Sequence, residues 1–436
     1  MANPLDWSLI YGAVPTAVLV IGAIGLVFLV LRRRDGWWTW RVPLAVALAA
    51  LTGWLVKLVV DDWWKPFADP LPDEVAAWIG VTVLAAALAV LGFSRTGWRY
   101  RIGLVLAVAA VLVMASSQVN RQFQQYVTLR AALGSLLPLH SADISKVEAG
   151  RDTAVTAPAG TALESVWRAP AGMPAKGELS QVSIPPTLSG FTARPAWIYL
   201  PPAALATPPA RLPVLLLLAG QPGSPRDWID AGQLPQMMDG YAAGHHGLAP
   251  IVVMADGTGS EFGNPMCLDS RLGKAQTYLT RDVPDWVRGH LAVAGDAQGW
   301  AVAGLSYGGT CSIQFVTNTA DVFKSFIDIS GQSEPTLGTR SETVQQAFGG
   351  DVAAFTAVNP VDIMARQKFP GTAGLVAVGT GDRMYGPEQR VVYAACLKAG
   401  MQVQLLLYPG GHSWQVWRPA LQDNLDWLGK HTGLTG

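Results

Sequence analysis

The sequence predicts four transmembrane helices followed by a domain built on a mainly parallel β-sheet with helices on both faces. Half of the 436 residues are hydrophobic and 14% are charged, and the apolar excess is concentrated in the first third. Beyond it, short apolar runs alternate with amphipathic segments, a pattern typical of a parallel sheet covered by helices. The expected parts are a transmembrane region at 1–120, a juxtamembrane helix and linker at 121–177, and a sheet-based domain at 178–436.

Four apolar stretches near the N-terminus are each close to the length of a bilayer crossing, which takes roughly 20 residues. They lie at about 8–31, 42–60, 75–93 and 102–117, the last continuing to about Val119. Four in succession favour membrane spans over buried helices of a soluble domain. The first is not predicted to be a cleaved signal peptide, because no basic residue precedes it and three arginines follow it.

The charges between these helices predict their orientation, because lysine and arginine near helix ends are retained in the cytoplasm. The first and third loops carry the arginines, which are Arg32, Arg33, Arg34, Arg41, Arg95, Arg99 and Arg101. The second loop carries one lysine, Lys65, among the acidic residues Asp61, Asp62, Asp69, Asp73 and Glu74. We therefore expect a multi-pass cell-membrane protein with both termini, and the second domain, outside the cytoplasm.

The remaining elements follow from composition and periodicity. The polar run 118–130 predicts a juxtamembrane amphipathic helix, and the Ala-, Pro-, Gly- and Thr-rich region 136–175 predicts an extended linker or a cover over the next domain. Two antiparallel strands are then expected. They lie at 178–184 and 190–200, with later strands at 214–218, 251–254, 300–303, 325–329, 375–378 and 403–407 and helices near 227–240, 275–291, 307–318, 385–399 and 414–431.

A Gly-x-Ser-x-Gly pattern, typical of a nucleophile elbow, is centred on Ser306. The turn holds the serine in a strained backbone conformation, and a side chain at Gly304 or Gly308 would collide with a neighbouring strand or helix. An apolar run precedes the motif and a helix-compatible run follows it, which is the context it requires. The alternative is a glycine-rich turn with an incidental serine, and the context favours the nucleophile.

A nucleophilic hydroxyl needs a base, and the base needs an acid to orient it. One later strand runs into a glycine-rich turn that ends on Asp382, and the next runs into a turn that ends on His412. The order Ser306, Asp382, His412 is that of the α/β-hydrolase fold, which we therefore predict for the second domain. Glu388 is an alternative to Asp382 as the acid.

An oxyanion hole needs two backbone N–H groups, one of them from the residue after the nucleophile. That residue is Tyr307, and Gln221, in the loop after the first core strand, is the expected second donor. An ordinary Gly/Pro loop is the alternative for Gln221. No residues have metal-ligand spacing, so neither a metal nor another cofactor is expected.

Three residues are expected to contact the substrate. Trp228 and Trp414 could receive acyl chains or belong to the core. The loop 256–270, which contains Glu261, follows a strand on the catalytic side of such a sheet and either lines the pocket or is solvated.

Three cysteines allow at most one disulfide within the chain. Cys311 and Cys396 fall in predicted helices and are expected to be small buried hydrophobes. Cys267 lies in a loop.

Three segments resemble the esterase family that includes esterase D and the secreted mycolyltransferases: 304–309, 277–286, and 411–414 with Trp417. The resemblance covers about 178–432 and implies an α/β-hydrolase that cleaves or transfers acyl groups. The chain differs from mycolyltransferases at 219–222, where they carry an acid and a basic residue for trehalose, and in having Asp382 in place of a glutamate. Its four-helix N-terminus resembles that of membrane-anchored envelope esterases.

These observations predict a membrane-anchored, extracytoplasmic serine esterase that acts through an acyl-enzyme on an ester of an envelope lipid. A soluble ester would not require a catalytic domain tied to four spanning helices, so membrane lipid and a lipidic ester are the expected partners. No nucleic-acid partner is expected. One alternative is an acyltransferase between envelope lipids or sugars, and another is a catalytically inactive hydrolase fold that binds lipid or a partner protein.

Overall fold

The computed structural model describes residues 3–32, 35–64, 70–94, 96–134, 139 and 141–436. The chain divides into two compact units, Met1–Leu137 and Pro138–Gly436. Five residues used to predict the orientation lie outside the described residues, namely Arg33, Arg34, Lys65, Asp69 and Arg95.

The first unit contains four helices long and apolar enough to cross a membrane. They are α1 (Ala13–Val30), α2 (Val42–Leu58), α3 (Asp73–Phe93) and α4 (Trp98–Phe123), with π-helical turns at Trp37–Arg41 and Val59–Trp64 extending α2 at both ends. Glycines allow α2 and α3 to pack closely, as in membrane helix pairs. A Cβ atom at Gly53 would lie 3.1 Å from the carbonyl oxygen of Ala76, and one at Gly80 would lie 3.2 Å from that of Ala49.

The polar run 118–130 does not form the separate helix that its composition predicted. Helix α4 continues through the run to Phe123 and ends at Gln124, which has a left-handed φ of 53°. The Asn120 side chain then bonds both the N–H and the C=O of Tyr126, each at 2.8 Å, and so turns the chain back. A short helix, α5 (Leu129–Ala132), follows. Polar residues can extend a helix beyond the apolar span, so composition alone did not reveal where α4 stops.

The described residues of the second unit form ten strands, and eight of them make one central sheet. In chain order the ten strands are β1 (Glu178–Val182), β2 (Ala196–Leu200), β3 (Val214–Leu218), β4 (Ile251–Met254), β5 (Asp269–Ser270), β6 (Gly273–Lys274), β7 (Trp300–Leu305), β8 (Ser325–Ile329), β9 (Ala373–Gly379) and β10 (Gln402–Tyr408). The order in the sheet is β1-β2-β4-β3-β7-β8-β9-β10, and β5 pairs with β6 in a separate hairpin. Within the eight-stranded sheet, β2 is antiparallel to β1 and β4, and the other neighbouring strands are parallel.

Helices surround this sheet. They are α6 (Ser145–Glu148), α7 (Leu163–Val166), α8 (Asp227–Asp230), α9 (Leu234–Gly244), α10 (Ala275–Thr277), α11 (Val283–His290), α12 (Tyr307–Asn318), α13 (Arg340–Phe348), α14 (Val352–Val358), α15 (Pro360–Arg366), α16 (Tyr385–Lys398), α17 (Trp414–Gln422) and α18 (Leu425–His431). Every residue of β3, β4, β7, β8 and β9 is buried, so both faces of the sheet are covered. The mainly parallel, helix-covered sheet confirms the predicted fold class.

The stretch 141–177 belongs to the second unit and packs against the rest of it. Trp167 is buried, and its indole N–H donates to the carbonyl oxygen of His246 at 3.0 Å. The backbone N–H of Leu163 donates to Gly433 at 3.0 Å. The stretch is therefore a cover, which was one of the two interpretations of its composition.

Candidate active site

Ser306 lies at the sharp turn between β7 and α12. Its φ of 52° and ψ of −116° form a strained conformation for a residue with a side chain. Its N–H donates to the carbonyl oxygen of Ile329 at 2.8 Å, which holds the turn. A Cβ atom at Gly304 would lie 2.3 Å from the carbonyl carbon of Gly308, and one at Gly308 would lie 2.5 Å from the carbonyl oxygen of Leu218. Backbone packing therefore requires both glycines, as in a nucleophile elbow.

Two side chains that follow β9 and β10 reach this serine. His412 Nε2 lies 3.0 Å from Ser306 Oγ, and His412 Nδ1 lies 3.0 Å from Asp382 Oδ2. Both separations allow hydrogen bonds, as required between a nucleophile, its base and the acid that orients the base. The structure thus brings the three residues of the expected triad together.

The Asp382 carboxylate is buried and held at both oxygens. Its Oδ1 accepts a hydrogen bond from the Tyr385 N–H at 2.8 Å while Oδ2 faces the histidine. The alternative acid, Glu388, points elsewhere. Its Oε2 accepts hydrogen bonds from the backbone N–H, at 3.1 Å, and the hydroxyl of Ser333. The acid that meets His412 is therefore Asp382.

Two aromatic rings fix the His412 imidazole. The Tyr385 ring stacks on it with centroids 4.2 Å apart and planes 21° apart, and Trp417 meets it edge-on at 5.0 Å. Tyr385 was missed in the sequence, where its position three residues after Asp382 was the available signal. The two rings restrict how far the imidazole can turn away from Ser306.

The expected oxyanion donors border the same serine. Tyr307 is the first residue of α12, so its N–H has no acceptor within the helix. The loop after β3 packs against the elbow, since a Cβ atom at Gly220 would lie 3.5 Å from Ser306 Cβ. Gln221 follows in that loop, precedes a cis proline, and donates its side-chain amide to the carbonyl oxygen of Phe262 at 3.2 Å. The structure therefore brings both predicted donor segments to Ser306.

An ion pair that the sequence analysis missed secures the loop after β3. Arg194 Nη2 lies 2.8 Å from Asp256 Oδ1 and donates to the carbonyl oxygen of Gly223 at 2.9 Å. Burial alone would raise the pKa of Asp256, but hydrogen bonds and the charge of Arg194 hold this pKa below its ordinary value. The ionised pair thus ties the start of β2 to the loop that carries Gln221. A basic residue before β2 and an acid after β4 were the only sequence signals.

A disulfide joins Cys267 to Cys311, with Cα atoms 5.5 Å apart. This pair corrects the expectation that Cys311 is an unpaired buried hydrophobe, because folding brings the loop of Cys267 against the first turns of α12. The Tyr307 hydroxyl reinforces the junction. It accepts from the Cys267 N–H at 2.8 Å and donates to the carbonyl oxygen of Gly257 at 2.9 Å. Cys396 is free and buried.

Trp228 and Trp414, expected to contact the substrate or to belong to the core, are both buried. Trp228 is 0% exposed and its indole N–H donates to the carbonyl oxygen of Leu218 at 2.9 Å. Trp414 is also buried and meets Trp228 edge-on with centroids 5.1 Å apart. Both belong to the core, the alternative stated for them, because apolar residues after strand ends can point inward as readily as outward.

Glu261 lies in an exposed loop beside the loop of Gln221. Its carbonyl oxygen accepts from the Gly223 N–H at 3.1 Å, while the neighbouring Phe262 side chain is 73% exposed. The loop 256–270 therefore meets the oxyanion segment, and Phe262 adds an apolar surface that the sequence analysis did not single out.

A buried carboxyl group lies behind the elbow. Asp328, on β8, accepts hydrogen bonds from the Gly331 N–H and the Gln389 side-chain amide, both at 3.0 Å. A Cβ atom at Gly309 would lie 2.5 Å from Asp328 Oδ1, so the carboxyl directly supports the turn. Burial raises the pKa of Asp328 to about 7.

Within the described residues, no group of three or more His, Cys, Asp or Glu side chains is placed to hold a metal ion.

Comparison with known proteins gives a family. The family model described as "Putative esterase" matches residues 192–428. An uncharacterised protein of Corynebacterium glutamicum is 37% identical over 446 residues, covering 98% of this chain and 99% of its own length.

Solved structures similar to this chain include those of three different proteins. A ferulic acid esterase is 20% identical, with a TM-score of 0.49, and the match covers 59% of this chain and 98% of the esterase. An S-formylglutathione hydrolase from Agrobacterium tumefaciens is 18% identical, with a TM-score of 0.49, covering 59% and 97%. MPT51 of Mycobacterium tuberculosis is 17% identical, with a TM-score of 0.43, covering 58% and 98%.

Proposed function

This chain belongs to the Putative esterase family, and we propose that it is a membrane-anchored serine esterase whose acyl-enzyme forms on Ser306. The family establishes the class, a serine hydrolase or acyltransferase acting on carboxylic esters. The observation that carries the proposed roles is the pair of 3.0 Å contacts joining Ser306 to His412 and His412 to Asp382.

In the proposed reaction His412 Nε2 takes the proton of Ser306 Oγ as the oxygen attacks the ester carbonyl carbon. The backbone N–H groups of Tyr307 and Gln221 stabilise the negative oxygen of the tetrahedral intermediate. Its collapse breaks the ester bond, and the imidazolium returns the proton to the leaving alcohol. Asp382 orients the imidazole throughout.

The second half of the reaction clears the acyl group. Water attacks the acyl-enzyme in hydrolysis, and a second alcohol attacks it in acyl transfer, with His412 again removing the proton of the attacking group. The bond between the acyl carbon and Ser306 Oγ then breaks, and the imidazolium returns the proton to Ser306 Oγ. Both outcomes use the same residues, so the acceptor alone distinguishes an esterase from an acyltransferase.

Replacement of Ser306 by alanine tests the assignment. Ser306→Ala should lower turnover of a short nitrophenyl ester by about 10⁶-fold, because the triad acts as a unit. Labelling by a fluorophosphonate should disappear as well. Ser312→Ala, which removes a hydroxyl from the helix that follows Ser306, should keep both signals. Retained labelling of Ser306→Ala would contradict the nucleophile assignment, and no turnover from the folded wild-type protein would favour the inactive, lipid- or partner-binding alternative.

We propose in addition that the four apolar helices span the cell membrane and that the second unit faces outside. The arginines of the first and third loops support this orientation. Those that the structure describes are Arg32 and Arg41 between α1 and α2, and Arg99 and Arg101 at the start of α4. The disulfide Cys267–Cys311 also suits an oxidising compartment.

A topology reporter tests the orientation. Alkaline phosphatase fused after Gly436 should be active, since this enzyme requires export, and the same reporter fused after Thr96, in the loop between α3 and α4, should be inactive. The reverse pattern would overturn the orientation.

We propose a lipidic ester of the cell envelope as the substrate, with membrane lipid as the surrounding partner. The supporting observation is the pairing of a catalytic unit with four apolar helices in one chain. Lipid profiles of cells lacking the protein should match those of cells carrying Ser306→Ala, with one ester accumulating or one product missing in both. Unchanged lipids alongside turnover of soluble esters would contradict a lipidic substrate.

A further inference from the structure

A cleft of about 580 Å³ opens between α3 and α4 in the first unit. Its volume lies within the range of about 300–1,000 Å³ that is typical of ligand pockets. The walls are largely apolar. They include Trp78, Thr82, Leu112, Ala115, Val119 and Phe123.

The depth of the cleft matches half a bilayer. Along α4 its wall runs from Leu112 to Phe123, which is about 17 Å at a rise of 1.5 Å per residue. One leaflet of a hydrocarbon core about 30 Å thick is about 15 Å deep. The cleft begins near the last residue of α4, Phe123, and its α3 wall runs from Trp78, five residues into that helix, to Val83, so it extends from near one end of this helix pair toward the middle.

The outer end of the cleft is polar but uncharged. Asn120, Gln125 and Tyr126 line it, and none of the residues that line the cleft carries a charge. The amide of Asn120 is engaged with the backbone of Tyr126, and the Tyr126 ring is half exposed. A tyrosine at such a position is typical of the membrane interface, where its apolar body and polar tip meet different surroundings.

We propose that this cleft binds one acyl chain of a membrane lipid, with the lipid headgroup at the Tyr126 end. Acyl chains are what surrounds an apolar helix pair at that depth, and a chain in the cleft would gain van der Waals contact on two walls. Since no charged residue lines the cleft, recognition depends on the chain and not on the charge of the headgroup. The inference rests on the proposed membrane insertion and is independent of the chemistry of Ser306.

Photo-crosslinking of the full chain tests this binding site. The protein is reconstituted in vesicles of phosphatidylethanolamine and phosphatidylglycerol containing a little phosphatidylcholine with a diazirine midway along one acyl chain. Label should concentrate in peptides covering 78–83 and 112–123, and unlabelled phosphatidylcholine and phosphatidylglycerol of equal chain length should compete equally. Thr82→Phe should fill the cleft and reduce this labelling roughly tenfold, which corresponds to about 1.4 kcal/mol.

Matched variants keep the test decisive. Ala77→Phe adds the same ring to an exposed position of α3 outside the cleft and should leave the labelling unchanged. Ser116→Phe approaches the cleft from α4 and should act like Thr82→Phe, so the test does not depend on one variant folding. Turnover of a soluble ester shows that the second unit is folded. If no sample turns over the ester, the proposed esterase function is contradicted, but the labelling pattern still decides whether the cleft binds an acyl chain.

Two results would overturn the proposal. Label could spread over exposed positions such as Val90 and Leu106 as strongly as over the cleft, with no response to Thr82→Phe. Alternatively, the Thr82→Cys variant could form disulfide-linked dimers in the vesicles at the expense of lipid labelling, which would make a second copy of this chain the occupant.

Discussion

Apolar side chains face outward in the first unit and inward in the second. In the most apolar window of each candidate span, only 11% to 33% of the residues are buried, and Leu106 of α4 is 64% exposed. In the second unit the central strands are buried at every position. Hydrophobic residues therefore indicate an apolar environment around the first unit but a buried core in the second. Whether such a residue is expected to be exposed or buried depends on the unit that contains it.

The residues proposed to carry the chemistry all lie in the second unit. Ser306, Asp382 and His412 all belong to Pro138–Gly436, as do the loops that border them. We therefore expect substitutions in the second unit to change turnover or unfolding of that unit, and substitutions in the first to change insertion. Four predictions test this separation.

Asp382→Asn should have the largest effect. Without the carboxylate the imidazole adopts the wrong tautomer, and turnover should fall by about 10⁴-fold. The loss should be equal in the full chain and in a piece comprising residues 138–436, measured with a soluble nitrophenyl ester. Glu388→Gln is the matched control, since Glu388 bonds Ser333 and not His412. A larger loss in the control would reassign the acid.

Trp167→Ala tests whether the stretch before β1 belongs to the second unit. Removing this buried ring should lower the free energy of unfolding by about 3–5 kcal/mol, because it leaves a cavity in the core. Urea unfolding of the 138–436 piece provides the measurement. Phe262→Ala, at an exposed ring, should change stability by no more than about 0.5 kcal/mol. Equal effects would mean that the stretch is an open linker.

Asp328 predicts a pH dependence of the second unit. Its folded pKa of about 7 lies above its ordinary value of 3.8, so between these values the unfolded chain loses a proton that the folded one keeps. The contribution of Asp328 to the free energy of unfolding is therefore fully present below pH 3.8 and is lost as the pH rises to 7. One pH unit corresponds to about 1.4 kcal/mol, so the loss should approach 4 kcal/mol.

Asp328→Asn should remove this pH dependence. Urea unfolding at several pH values between 4 and 8 measures it, and the comparison uses the slope with pH and not the absolute stability. An unchanged slope in Asp328→Asn would assign the titration to another group.

Two exposed leucines give the smallest and most direct contrast between the units. Leu106→Arg places a charge on the outer surface of α4, where insertion should cost about 2.5–3.5 kcal/mol. Leu397→Arg changes the half-exposed surface of α16 and should alter stability by less than about 0.5 kcal/mol. The fraction of protein recovered in membranes measures the first effect, and urea unfolding measures the second. If both substitutions were harmless, the first unit would not face hydrocarbon.

Much of the fold was predictable because its signals are local. The parallel strands and the elbow around Ser306 depend on short runs of apolar residues and on glycines that pack against backbone. Helices α13 to α15 were not predicted, although Thr339 and Glu342 form a capping box at the start of α13. Helix α13 is mostly polar and α14 and α15 have seven residues each, so none of them contains the long apolar periodic run from which the other helices were predicted.

The parts of the site that escaped prediction depend on contacts between distant segments. The pairing of Cys267 with Cys311 and of Arg194 with Asp256 needs the fold to bring separate loops together. The direction of Trp228 is likewise decided by tertiary packing. Residue type and spacing could identify the nucleophile motif, but they do not report which face of a loop a side chain will occupy.

The position of β10 affects how the candidate active site would lose its structure. This strand is at the edge of the sheet, is hydrogen-bonded to β9 on one side, and is followed by the turn that carries His412. Edge elements open locally at lower free energy than central strands, without global unfolding. The proposed base thus follows an edge strand, while Ser306 follows β7 in the interior of the sheet. Under gentle denaturation, catalysis should vanish while most of the molecule remains folded, so inactivation and unfolding would be separate events.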